Sequence, residues 1–166
     1  LQPLVDALKQ SVLSDSILHA DETPMPMLKP GNKRTHRAYL WAYAPGAFES
    51  TRAVVYDFCE SRAGEHARAF LGKSEEDGGW SGTLVCDDYA AYKALFTKGI
   101  TESGCMAHAR RKLFELHANH SSLIAAEGLK FFELLYDVER DAKALSAEER
   151  KKIRQDRAKP VADALH

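Results

Sequence analysis

A chain of 166 residues is long enough for one compact domain with a real core, and 45% apolar against 28% charged residues is the make-up of a globular protein, not of a disordered or fibrous one. No apolar run reaches membrane-spanning length and no signal-peptide pattern is present, so a cytoplasmic protein without a membrane partner is expected. The net charge of -1 excludes a nucleic-acid reading built on overall charge, and any such reading must rest on local basic patches.

Cys59, Cys86 and Cys105 are far apart and odd in number, which fits a reducing compartment better than a disulfide scaffold. The first residue is Leu1 and not Met, so a fragment or a processed chain is expected.

In chain order, residues 1–13 read as an amphipathic helix, with Leu4, Val5, Leu8, Val12 and Leu13 close to one face and Pro3 in the first turn. Ile17, Leu18 and Ala20 then suit a buried strand that delivers Asp21, and Pro24 is expected to end it. Residues 29–37 form a basic loop whose Lys33, Arg34 and Arg37 are either a solvated hairpin or contacts to a phosphate backbone. Residues 38–44 alternate, with Tyr39, Trp41 and Tyr43 on one face and Leu40, Ala42 and Ala44 on the other. After the turn signal Pro45-Gly46-Ala47, residues 51–58 read as another strand, which makes an antiparallel meander.

Ser61 is a candidate N-cap for a short helix closed by Gly72, and residues 74–79 are an acidic loop. Residues 80–86 climb into a strand that delivers Asp87 and Asp88. A helix between two strands usually makes them parallel neighbours, which would put Asp21 and Asp87 at the same end of adjacent strands. Residues 100–105 suit a short fifth strand. Cys105 and His108 then open a helix that carries the sharpest basic cluster, Arg110, Arg111 and Lys112. Cys-x-x-His invites a zinc reading, but no companion pair stands at a suitable spacing. Residues 121–143 give the longest helical pattern, with Ile124, Gly128, Phe131, Leu135 and Val138 recurring and Glu139 on the flank of that stripe. The charged stretch 147–154 reads as a solvated, salt-bridged helix.

This is the element order of a ribonuclease-H-like α/β fold, a mixed five-stranded sheet with helices on both faces, and it is expected to occupy residues 1–166 as a single domain. Three carboxylates brought together repel one another unless a cation neutralises them. Hard oxygen ligands suit Mg²⁺ or Mn²⁺, and two such ions ~3.5–4 Å apart can activate a water or a 3′-hydroxyl and stabilise the leaving oxygen. In that arrangement Asp21 bridges both ions, Asp87 holds one and Glu139 the other.

The stretches HADETPMPML, GTLVCDDYAAYKAL, CMAHARRKLFEL and LLYDVERDAK resemble the catalytic core of IS66-family bacterial transposases, from about residue 13 to residue 165. The resemblance implies a DDE transposase domain that cuts and joins DNA during transposition of an insertion sequence. By motif, Asp21, Asp87 and Glu139 take the acidic roles. The family usually has glycine where this chain has Asp88, so Asp88 is the rival of Asp87. The Cys-x-x-His signature falls on Cys105 and His108, and the arginines after it on Arg110 and Arg111. Met106 stands where the family has an aromatic residue. The resemblance further implies transposon ends and target DNA as partners, a homo-oligomer in the active complex, accessory transposition proteins, and a site of action at the nucleoid. Family members also carry N-terminal DNA-recognition and C-terminal regions that are not in this sequence. Two other readings are a ribonuclease-H-like nuclease that cuts without joining, and a non-catalytic DNA-binding or oligomerising domain.

Overall fold

Five strands, β1 (Ile17–Met27), β2 (His36–Pro45), β3 (Val55–Cys59), β4 (Thr83–Cys86) and β5 (Thr101–Gly104), form one mixed sheet in the order β3-β2-β1-β4-β5. The β1–β2 and β2–β3 pairs are antiparallel, and β1–β4 and β4–β5 are parallel. That order and those directions are the ribonuclease-H-like sheet. The computed structural model describes residues 1–31, 33–72 and 78–165, and it divides into two units, Leu1–Cys105 and Met106–His166.

The first unit contains the sheet and three helices, α1 (Gln2–Leu13), α2 (Gly64–Phe70) and α3 (Ala90–Phe96). All three pack on one face. Val12 of α1, Ala67 and Phe70 of α2, and Tyr92 and Leu95 of α3 share a buried cluster with Leu18, Ala20, Trp41, Tyr43, Leu84 and Cys86 of the strands. The alternation expected in β2 is observed, with Trp41 and Tyr43 fully buried. The Tyr43 ring stacks on Phe70 with centroids 3.7 Å apart. Burying side chains of this size contributes roughly 1.5–3 kcal/mol each, which makes this face the main source of stability.

Several boundaries differ from the sequence-based expectation. Strand β1 runs through Pro24 to Met27 instead of ending at the proline. Beyond His19 it pairs with β2 alone, so the other edge is open there. Pro24 and Pro26 are two residues apart and direct their nitrogens to the same edge, where no ladder bond is lost. Strand β3 starts at Val55, not at residue 51, because the chain before it is clipped elsewhere. The Asp15 carboxylate accepts hydrogen bonds from Ser50 N (3.2 Å), Ser50 Oγ (2.9 Å) and Thr51 N (3.3 Å). Ser61 is not the N-cap of α2; Ala63 is, and the Ser61 hydroxyl instead lies 2.7 Å from His66 Nε2. Gly72 follows the helix with φ +69°, a conformation that favours glycine. Most of the acidic loop, residues 73–77, lies outside the described residues. Helix α3 was not expected; at seven residues it is too short to display a helical period. In α1, Leu4 and Val5 are exposed while Val12 is fully buried.

The second unit is helical: α4 (Met106–His120), α5 (Leu123–Ala142), α6 (Ala147–Ile153), a π-helical turn (Arg154–Ala158) and α7 (Lys159–Leu165). Ser122 caps α5 by accepting from Ala125 N at 3.2 Å. Ser146 and Glu149 form a reciprocal capping box on α6. Helices α4 and α5 approach closely at Gly128, where a Cβ would sit 2.9 Å from Leu113 Cδ1. The buried stripe of α5 is Ala125, Gly128, Phe132, Val138 and Ala142. It keeps Gly128 and Val138 of the expected stripe but takes Ala125 and Phe132 in place of Ile124 and Phe131, and Ile124 is 82% exposed.

Candidate active site

Strand β1 alternates strictly at its start: Leu18, Ala20 and Glu22 are buried, and Ile17, His19 and Asp21 face the other way. In β4, Leu84 and Cys86 are buried with the first set. The parallel register pairs Leu18 with Leu84 and His19 with Val85. Asp21 and Asp87 each follow the last paired residues, His19 and Val85, by two positions: Asp21 on the exposed face of β1, and Asp87 just past the end of β4. Each is also held locally. Asp21 Oδ1 accepts from Glu22 N at 2.9 Å, and Asp87 Oδ1 accepts from Tyr89 N at 3.0 Å in a turn that re-aims the chain into α3.

Asp88 is placed differently. Its side chain is 80% exposed and pairs with Lys93 at 2.7 Å, and Lys93 also holds Glu102 at 2.7 Å. These contacts push the Lys93 ammonium pKa up, first through the Asp88 hydrogen bond.

The adjacent Glu22 was not singled out by sequence, although the alternation that exposes Asp21 necessarily turns Glu22 into the core. Its side chain is 1% exposed. Oε1 accepts from Arg62 Nε at 2.7 Å and also from Nη2, and Oε2 accepts from the Tyr92 hydroxyl at 2.7 Å. Burial, then the Glu22 charge, drives the Tyr92 phenol pKa up. Arg62 Nη2 lies 3.9 Å from Asp87 Oδ2, and its guanidinium sits 3.7 Å over the Tyr89 ring. The Tyr89 hydroxyl donates to the Arg62 carbonyl at 2.7 Å. Glu22, Arg62, Tyr89 and Asp87 thus form one connected cluster around the C-terminal end of β4.

Glu139 belongs to the second unit, on α5. Both of its oxygens are taken by one guanidinium: Arg154 Nε donates to Oε1 at 2.7 Å and Nη2 to Oε2 at 2.6 Å. The Arg154 hydrogen bonds hold the Glu139 carboxyl below the usual range. Next to this fork, Arg157 of the π-helical turn pairs with Asp141 at 2.7 Å. The charged C-terminal stretch is therefore tied back to α5 and is not merely solvated.

Of the basic residues, Arg111 and Lys112 are exposed on α4, and Arg110 leans on α5 with its guanidinium 6.0 Å from the Tyr136 ring. Lys33, Arg34 and Arg37 are exposed, Arg37 on β2 opposite Pro26. Cys105 donates its backbone N–H to the Cys86 carbonyl at 2.8 Å, which closes the β4–β5 ladder; His108 is half-buried in the first turn of α4.

The Asp21 and Asp87 carboxylates are hard oxygen donors of the kind Mg²⁺ and Mn²⁺ prefer. The pair fits a divalent ion as two ligands. Within neither unit, among the described residues, do three or more His, Cys, Asp and Glu side chains gather closely enough to hold a metal.

The family model described as "Transposase IS66 family" matches residues 1–166. Two uncharacterized proteins of Sinorhizobium fredii (strain NBRC 101917 / NGR234) are among the relatives. One, y4jD, is 36% identical over 97% of this chain and 32% of its own length. The other, y4qI, is 32% identical over 99% of this chain and 32% of its own length. The chain thus spans about a third of these relatives. Among solved structures, the simian T-cell lymphotropic virus intasome in complex with PP2A regulatory subunit B56 gamma aligns at 15% identity and TM-score 0.36, over 91% of this chain and 47% of that one. The HTLV-2 integrase catalytic core domain in complex with magnesium aligns at 13% identity and TM-score 0.34, over 84% and 83%. With the family matched from first residue to last and the sheet order that of a ribonuclease-H-like fold, the chain belongs to the IS66 family of transposases.

Proposed function

We propose that this chain is the catalytic domain of a DDE-type transposase, which cuts DNA strands and joins the freed 3′-hydroxyl to a target. The observation that supports this reading is the parallel pairing of β1 with β4, from which Asp21 and Asp87 each follow by two residues. Asp21, Asp87 and Glu139 would hold the divalent ions, Mg²⁺ or Mn²⁺. When bound, the ions supply charge neutralisation on both sides of an in-line phosphoryl displacement. The protein's own part is positioning: Asp21 is held within β1 and Asp87 directly after β4, and a backbone hydrogen bond restrains each carboxylate. Asp87 suits the ligand role better than Asp88, which is turned out to Lys93.

Arg110, Arg111, Lys112, Lys33, Arg34 and Arg37 contact the DNA backbone, and Cys105 and His108 support the start of α4. The partners are transposon ends and target DNA, met by a homo-oligomer with accessory transposition proteins, in the cytoplasm at the nucleoid. No helix is long and apolar enough to cross a membrane, among the described residues.

The test is cleavage of transposon-end DNA by the full-length protein. Asp21→Ala, Asp87→Ala and Glu139→Ala should each lower the rate by at least about 100-fold, and Asp88→Ala should retain it. Cleavage that survives Asp21→Ala or Asp87→Ala would sink the reading. One observation favours a second reading, a non-catalytic domain: the Arg154 fork already satisfies both oxygens of Glu139. Calorimetric titration with Mn²⁺ separates the two, since a decayed site would take up no ion that Asp21→Ala abolishes.

A further inference from the structure

Arg62 is built like a ligand-binding arginine. It stands in the turn between β3 and α2, and one edge of its guanidinium is consumed: Nε and Nη2 both donate to Glu22 Oε1. Glu22 is fixed in turn by Tyr92 and by near-complete burial, with its side chain 1% exposed. The flat face of the guanidinium rests on Tyr89 at 3.7 Å, with Tyr39 6.0 Å away. Its rotamer freedom is therefore removed in advance. The side chain is nonetheless 39% exposed, and among the described residues Nη1 donates to no acceptor. What that open edge faces is decided by Nη2, which lies 3.9 Å from Asp87 Oδ2. A separation of that size is long for a charge-assisted hydrogen bond. Arg62 thus presents a planar, pre-oriented pair of donors beside Asp87 without spending them on it. Guanidinium forks of this kind match the tetrahedral oxygens of a phosphate.

We propose that Arg62 is a phosphate-binding residue of this site, its open edge taking a non-bridging oxygen of the DNA phosphate at the transposon–donor junction. The inference rests on the proposed catalytic role of Asp21 and Asp87. Glu22 and Tyr92 are positioning residues for Arg62: a buried carboxylate and a phenol hold the guanidinium from behind, on the core side of β1. Strand β1 then serves the site from both of its faces, with Asp21 in front and Glu22 behind.

The contact is tested by a double-mutant cycle on equilibrium binding of transposon-end DNA to the full-length protein. The DNA carries either the native junction phosphate or a neutral methylphosphonate at that one position. Arg62→Lys keeps the charge opposite Glu22 and so keeps the fold, but it loses the second edge. Arg62→Lys on native DNA, and the methylphosphonate with unaltered protein, should each weaken binding about tenfold, and the two together should also weaken it about tenfold, not a hundredfold. The paired variant Glu22→Gln/Arg62→Gln, which leaves no buried charge unmatched, should show the same insensitivity to the methylphosphonate. Additive losses would mean that Arg62 acts only through structure, and no loss with Arg62→Lys would mean that it touches no phosphate; either overturns the proposal. The catalytic reading is tested separately, because it falls if Asp87→Ala still cuts, whatever the binding cycle returns.

Discussion

Tyr43 shows how a single atom can be out of step with its surroundings. Its ring is fully buried and stacked on Phe70, yet its hydroxyl has no hydrogen-bond partner among the described residues. Burial pushes its pKa up far beyond the ordinary value. An unsatisfied buried hydroxyl costs about 1–3 kcal/mol, so Tyr43→Phe should leave the protein as stable or raise its melting temperature. A lower melting temperature would show that a water satisfies the group. Two thiols behave in a related way. Burial, helped by Asp57, pushes Cys59 up to about 11, and burial, helped by Asp87, pushes Cys86 up to about 12. Both should resist alkylation at pH 8 in the folded protein, leaving Cys105 to react first. Peptide mapping after brief maleimide treatment would read this directly, and early labelling of Cys86 would contradict it.

Among elements, α5 and the segment after α6 are joined by charge more than by apolar contact at one place. The Arg154 fork on Glu139 is bidentate, but the two side chains are 40% and 47% exposed, so solvent screening limits it to at most ~1 kcal/mol. Its pH dependence has a definite sign. The folded-state pKa of Glu139 is lowered from 4.5, so the contribution is complete above that value and disappears as the pH falls through the lowered one. Glu139→Gln should therefore lower stability by up to ~1 kcal/mol at neutral pH, with the difference from the unaltered protein closing as the pH falls below about 4.5 and the acid limb correspondingly shallower. An unchanged acid limb would mean that the fork does not persist in solution. Within the sheet, β1 tolerates residues that a central strand paired on both edges would not. Two prolines lie in a strand because one edge is open where they fall, a fact about β4 being short and not about β1 itself.

At the scale of the whole molecule, a net charge of -1 means that DNA affinity must come from where the basic side chains lie. Reversing Arg110 and Arg111 to Glu should weaken DNA binding and flatten its dependence on salt, each lost phosphate contact lowering the log–log slope by roughly 0.9. An unaltered slope would move the DNA surface elsewhere. Much of this molecule was already legible along the chain. The alternation of Tyr39, Trp41 and Tyr43, the parallel return of the strand before Asp87, and the long helix that bears Glu139 are encoded over a few residues by side-chain periodicity and helix caps, which are local properties. What neighbours met across the fold was not legible. Glu22 is next to Asp21 in sequence, but its partners Arg62 and Tyr92 come from distant turns and helices, and Arg154 reaches Glu139 only because the chain folds back on α5. The choice of Phe132 over Phe131 in the buried stripe of α5 has the same origin, since the two are equally apolar and only tertiary packing separates them. Local period and turn chemistry act through nearest neighbours and can be read from sequence alone. Register, burial of a charge and the choice of its partner depend on contacts between residues tens of positions apart, and those exist only once the chain has closed.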